Sequence, residues 1–152
     1  MSVDGGLRGI FRDKLRRGFH WVSIETGGTG RGVPDSEFCC DGVERWIEFK
    51  QTDGWTCPLL PEQVAFHVAR AARGGVSFVA TRRWHDGGPR RGPAVDELWL
   101  HPGAEALALK STGLRGVEPL GRWSGGPSGW DWDEVRALLL RRAADARPEA
   151  SW

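Results

Sequence analysis

Two carboxylates and a lysine stand out in this 152-residue chain because their types and spacing can do chemistry together. Asp35 follows a Gly-Val-Pro turn, and Glu48 and Lys50 lie two residues apart in the run W-I-E-F-K. Aromatic and β-branched residues dominate that run, so it reads as a strand, and a strand sends alternate side chains to opposite faces. Trp46, Glu48 and Lys50 then share one face, with Ile47 and Phe49 on the other. If Ile47 and Phe49 face the core, the carboxylate and the ammonium sit side by side on a rigid, half-covered surface. Asp41-Gly42 is a favoured tight-turn pair. It folds residues 37–40 back antiparallel to the strand and brings Asp35 toward Glu48 and Lys50. Such oxygen ligands suit Mg²⁺ (or Mn²⁺), which needs only two or so protein positions and keeps several waters. Lys50 beside it can orient a water, assist its deprotonation and offset negative charge in a transition state. Metal-assisted phosphodiester hydrolysis is the chemistry that fits.

These groups need elements to hold them. Leu7, Ile10, Phe11 and Leu15 recur at helical spacing, so residues 7–17 form a helix, stopped by Gly18. Its arginines, Arg8, Arg12, Arg16 and Arg17, make either a solvated basic face or a phosphate-contacting one. Residues 19–25 read as a strand and 26–32 as a Gly-rich loop, in which Arg31 is placed to close on a polyanion. Pro61 and Glu62 open a helix over 61–73, since proline suits a first helical turn and an acid suits the positive helix end. Val64, Val68 and Ala71 form its apolar stripe, and Gln63, His67 and Arg70 a polar face toward the hairpin. Residues 76–82 are apolar enough for a central strand. Residues 83–93, rich in Gly, Pro and Arg around Trp84, read as an exposed loop suited to phosphate contacts and stacking, or as a hairpin tip. A strand over 96–101, a short helix over 104–110, a connection over 113–129 and a last helix capped by Asp131 or Ser128 complete the chain.

Several function classes are disfavoured. The Gly-rich loop lacks the Lys-Ser/Thr ending of a phosphate-binding P-loop, so a nucleotide cofactor is not expected. No H-E-x-x-H pattern supports a zinc enzyme, and three cysteines without a C-x-x-C pair suit buried thiols better than a disulfide framework. No apolar run is long enough to span a membrane, so a cytoplasmic protein without membrane partners is the expectation. The net charge of +1 advertises no global affinity for nucleic acid. The basic residues are overwhelmingly arginine, which suits bidentate phosphate contacts and equally fits a coding bias.

Taken together, Gly32-Val33-Pro34-Asp35, Trp46-Ile47-Glu48-Phe49-Lys50 and Pro61-Glu62-Gln63 resemble the PD-(D/E)xK nuclease superfamily. Within it the resemblance is to the small phage and bacterial branch related to VRR-NUC domains and Holliday junction resolvases. Ile24-Glu25 and Gly74-Gly75-Val76 also fit, and the likeness covers residues 19–83. It implies an α/β fold with a restriction-endonuclease-like core, a central mixed β-sheet with a β-hairpin active site flanked by helices. The length fits one domain, which on this resemblance is a nuclease domain over 1–147, and the tail at 148–152 is expected to fray. By the resemblance Asp35 and Glu48 are metal ligands, Lys50 is the catalytic lysine and Gln63 lies near the scissile phosphate. Relatives carry a further acid on the first helix; here Glu25 is favoured as that third ligand over Asp13 or no residue. Arg31, His67, Arg70, Arg82 and Arg83 are the candidate DNA contacts. The implied activity is Mg²⁺-dependent endonucleolytic cleavage of branched DNA by a homodimer, in the bacterial host cytoplasm if the protein is phage-encoded. The alternative is a non-catalytic DNA-docking or assembly subunit that keeps the nuclease fold.

Overall fold

The structure is a computed structural model that describes residues 4–24 and 31–142. The chain runs α1 (Leu7–Lys14), β1 (His20–Ser23), β2 (Ser36–Cys40), β3 (Val43–Thr52), α2 (Pro61–Ala72), β4 (Ser77–His85) and β5 (Val95–Pro102). A 3-10 turn at Gly103–Glu105, α3 (Ala106–Thr112), β6 (Gly121–Trp123) and α4 (Trp132–Leu140) follow. The six strands form one sheet in chain order. Only β3 and β4 pair in parallel, and α2 supplies the crossover that a parallel pair requires. The fold is therefore mixed α/β, a six-stranded mixed sheet flanked by helices.

Strand alternation divides the sheet's side chains between two cores. Ile47, Phe49, Phe78, Ala80, Leu98 and Leu100 meet Leu7 and Phe11 of α1 and Val135 and Leu139 of α4. Phe11 lies edge-on to Phe49 at 4.9 Å and to Trp132 at 5.1 Å, which ties both helices to the strand that carries Glu48. On the other face Val79 and Trp99 pack against Val64 of α2, Leu109 of α3 and the segment with Cys57 and Leu59. The half-covered surface expected for Glu48 and Lys50 is thus a covered one.

Other expectations shift by shorter distances. Asp131 caps α4 as expected, its Oδ1 accepting the Glu134 N–H at 3.0 Å. The buried stripe of α2 is Val64 and His67, whereas Val68 is exposed. β4 continues to His85, so Arg83 and Trp84 belong to a strand paired with Glu97 and Asp96, not to a loop. The connection over 113–129 contains the short edge strand β6, whose Gly-Arg-Trp sequence carries almost no strand signal. Among the described residues no helix is long and apolar enough to cross a membrane.

Candidate active site

The hairpin turn sets the geometry of the site. Asp41 and Gly42 both have positive φ, 51° and 76°, as a two-residue turn that matches strand twist requires. The resulting register pairs Cys40 with Val43 and Ser36 with Ile47. One step further along the same register, Asp35 stands opposite Glu48. The Asp35 N–H donates to Glu48 Oε2 at 3.1 Å, and the Phe49 N–H donates to Asp35 Oδ2 at 2.9 Å. Among the described residues Asp35 Oδ1 accepts no hydrogen bond, which leaves one carboxylate oxygen facing the cavity.

Glu48 is 1% exposed and Lys50 5% exposed. Lys50 Nζ lies 3.3 Å from Glu48 Oε1, and Gln63 Nε2 donates to the same oxygen at 2.8 Å. Gln63 is itself held by the Leu60 N–H, which donates to its Oε1 at 2.9 Å, so the first turn of α2 fixes the glutamate's orientation. Gly32 packs directly against that same turn. Its φ is +91°, and a Cβ there would lie 2.3 Å from the Glu62 carbonyl oxygen, so only glycine fits.

The electrostatics follow from this arrangement. Burial raises the Glu48 pKa from its ordinary 4.5 to about 7; the neighbouring Asp35 charge adds to the rise, and Lys50 opposes it. Asp35 is also raised, by burial first, against the Phe49 N–H and the Lys50 charge. Asp4 and Arg8 also act on Asp35, so three carboxylates face two cations around the cavity, an environment that favours a further cation. Two oxygen donors that leave most positions to water suit Mg²⁺ rather than a metal needing a complete protein cage. Among the described residues no three His, Cys, Asp or Glu side chains converge as a metal site.

The cavity around these groups has a volume of about 420 Å³ and is lined by Asp35, Glu48, Lys50, Gln63, Asp4 and Arg8, among others. Asp4 was not among the expected site acids, which on the first helix were limited to Asp13, and Arg8 was expected only as one of four arginines on a solvated or phosphate-contacting face. Their signal was present: an Asp followed by Gly-Gly and an apolar helical run is a helix-start pattern. Asp4 Oδ1 accepts the Gly6 N–H at 3.0 Å and Oδ2 the Arg8 N–H at 3.3 Å. The Arg8 guanidinium forms no ion pair or hydrogen bond among the described residues. Asp13 lines a different cleft, with Trp132 and Arg136, and does not join the site. Glu25 lies outside the described residues.

The expected DNA contacts divide. Arg31 is exposed beside Gly32, and Arg70 is exposed on α2, its guanidinium over the Phe66 ring at 4.9 Å. His67 is corrected from a surface contact to a packing residue. It is 0% exposed, its Nδ1 lies 2.7 Å from Ser77 Oγ, and burial lowers its pKa to about 4. The reason is the one-position rotation of the α2 stripe already described. Arg82 and Arg83 differ from Arg31 and Arg70 in that most of their donors are engaged inside the protein. Arg82 binds Asp96 at 2.8 and 2.7 Å and the Gly5 carbonyl at 2.8 Å. Arg83 binds Glu97 at 2.6 Å and the Gly54 carbonyl at 3.0 Å, and lies over Trp55 at 3.8 Å.

No family model and no curated protein matches the chain. The reading of this site rests on its own residues.

Proposed function

We propose that the protein is a Mg²⁺- or Mn²⁺-dependent endonuclease that hydrolyses DNA phosphodiester bonds through Asp35, Glu48 and Lys50 on a restriction-endonuclease-like core. The observation that carries this reading is the largely covered Asp35–Glu48 pair, in a cavity where acids outnumber cations and where, among the described residues, one Asp35 oxygen accepts no hydrogen bond. Asp35 and Glu48 hold the metal, which when bound polarises a phosphoryl oxygen and acidifies water. Gln63 keeps the Glu48 carboxylate turned toward the cavity. Lys50, held by Glu48, orients the attacking water and offsets charge as the pentacoordinate phosphorus forms. Arg8, with its donors uncommitted at the cavity wall, contacts a phosphate oxygen of the bound strand. Branched DNA is the preferred substrate class, and a homodimer supplies the two coordinated cuts that a four-way junction requires.

Cutting of defined branched and linear DNA by the purified protein with Mg²⁺ tests this. Activity that disappears in Asp35→Asn and Lys50→Ala with the fold intact supports the assignment. Wild-type cutting by Asp35→Asn would exclude it. Arg8, uncommitted at the cavity wall among the described residues, equally suits a second reading, a DNA-docking subunit without catalysis. Calorimetric titration with Mg²⁺, with and without Glu48→Gln, separates the two, because only the nuclease reading expects a Glu48-dependent metal site.

A further inference from the structure

Trp84 stands apart from the other tryptophans in the described residues. Trp21, Trp123, Trp130 and Trp132 pack in or against the core beneath α1 and α4. Trp46, Trp55 and Trp99 are engaged by rings or guanidinium groups. Trp84 belongs to neither core, and among the described residues its ring meets no other ring or cation and its indole N–H donates to nothing. It is half-buried on a rigid strand. Folding therefore leaves a large aromatic surface and one donor unengaged.

That surface lines a cavity of about 540 Å³ shared with Gln51, Asp53, His85, Asp86 and Arg91. The cavity opens beyond the carboxyl ends of β3 and β4, the one parallel pair and the place where open α/β sheets hold ligands. It also lies further along β3 from the candidate active site: Thr52, two residues beyond Lys50 and on the same face of the strand, lines this cavity, and Lys50 lines the other. Alternate strand residues stand about 6.6 Å apart on one face, so a nucleotide held at Lys50 has its neighbour within reach. The lining selects a base over a phosphate. Two carboxylates, Asp53 and Asp86, face one arginine, and Arg91 is already paired with Asp53 at 2.9 Å. A phosphate would be repelled. A planar base can stack on Trp84 and meet the Gln51 carboxamide or the Asp86 carboxylate with its polar edge.

We propose that this cavity is a nucleobase site, which takes an unpaired base of the strand whose adjacent phosphate lies at Lys50. The placement beside Lys50 rests on the nuclease reading; the base site itself does not. Fully paired DNA must first extrude a base, whereas a bulge, gap or branch offers one already unstacked, and the site thereby selects for structure.

The test measures binding without metal, in chelator, by fluorescence anisotropy. A duplex with one bulged nucleotide is compared with the same duplex made abasic at the bulge. Wild type is expected to bind the base-containing bulge roughly tenfold more tightly than the abasic one. Trp84→Ala removes that difference, and Trp84→Phe, which keeps a stacking face, retains most of it. Equal wild-type affinity for the two duplexes overturns the proposal, and so does an undiminished preference in Trp84→Ala. Cutting with Mg²⁺ is scored separately on the same duplexes. A wild-type protein that distinguishes base from abasic site but never cuts refutes the nuclease reading and leaves the base site standing.

Discussion

Glu48 on β3 and Glu97 on β5 are both buried glutamates on the same face of one sheet, at 1% and 3% exposure, and their surroundings solve opposite problems. Glu97 is enclosed by cations. Arg83 and Arg122 both donate to it, Trp55 lies between Arg83 and Arg115, and Arg122 covers Trp99. Burial pushes the Glu97 carboxyl up, but the two arginines outweigh burial and hold it below the ordinary range. Glu48 has one lysine and a second carboxylate beside it, and is pushed up to about 7. The first arrangement is complete in itself. The second is complete only with another cation, and of the two it is the one that lies beside a carboxylate oxygen without a hydrogen-bond donor among the described residues. Charge balance, more than burial or residue type, separates a structural ion-pair network from a site awaiting a ligand.

The largest expected effect breaks the comparison on the activity side. Lys50→Ala and Asp35→Asn should each lower cutting by at least about 100-fold. Glu97→Gln should leave the turnover of folded protein within a factor of a few. Gel-based cleavage rates, corrected for folded fraction by circular dichroism, check both. Equal losses in all three variants would mean that Glu97 serves the chemistry and that the contrast is false. On the stability side the ranking reverses. Glu97→Gln strands Arg83 beneath the surface without its counter-charge, and should cost about 3 kcal/mol in urea denaturation, reduced because Arg122 is half exposed and can rehydrate.

His67 sharpens the comparison with a third solution, a buried group that stays neutral. Its folded pKa is about 4 against an ordinary 6.5, so between those values the unfolded chain binds the extra proton. Stability is therefore full above about pH 6.5 and is lost as pH falls toward 4, by up to about 3 kcal/mol. Denaturation midpoints from pH 7 to 4 test this. His67→Gln should be less stable than wild type at pH 7, with a flatter decline over that range. An identical decline would assign the acid sensitivity to other groups.

How much of this was legible in the chain depends on the range of the physics involved. The hairpin was readable because its causes are local: Asp41-Gly42 dictates the turn, and alternation then dictates which side chains share a face. Pro61 and Asp131 likewise announced their helices through the first turn alone. What escaped depended on distant partners. Nothing near Arg83 in sequence says that Glu97 will hold it, so a paired arginine looks like a free one. The orientation of α2 was misread by one position because His67 counts as polar until Ser77, from another element, meets it. Asp4 escaped because its contribution to the cavity follows from how α1 packs through Phe11 on Phe49. β6 escaped because three residues carry too little periodicity to register.

The smallest expected effect is the most discriminating. In metal-free protein Glu48→Gln should cost no stability at pH 8, although its side chain is as buried as that of Glu97. A raised acid pKa means that the folded state holds the proton more tightly than the unfolded chain. The wild-type protein therefore loses stability as pH rises from 4.5 through about 7, and stays at the lower value above that. Glutamine resembles the protonated acid, so the variant escapes this penalty at pH 8. Against that gain it weakens the Lys50 contact and leaves either the Asp35 N–H or the Gln63 amide without an acceptor. The protonated wild type shares these deficits, so at pH 5 the variant should be close to wild type, and it should compare more favourably with wild type at pH 8 than at pH 5. Urea denaturation in chelator at the two pH values measures both differences. A loss at pH 8 as large as that of Glu97→Gln would make Glu48 a structural ion-pair partner and remove the distinction on which the site assignment stands.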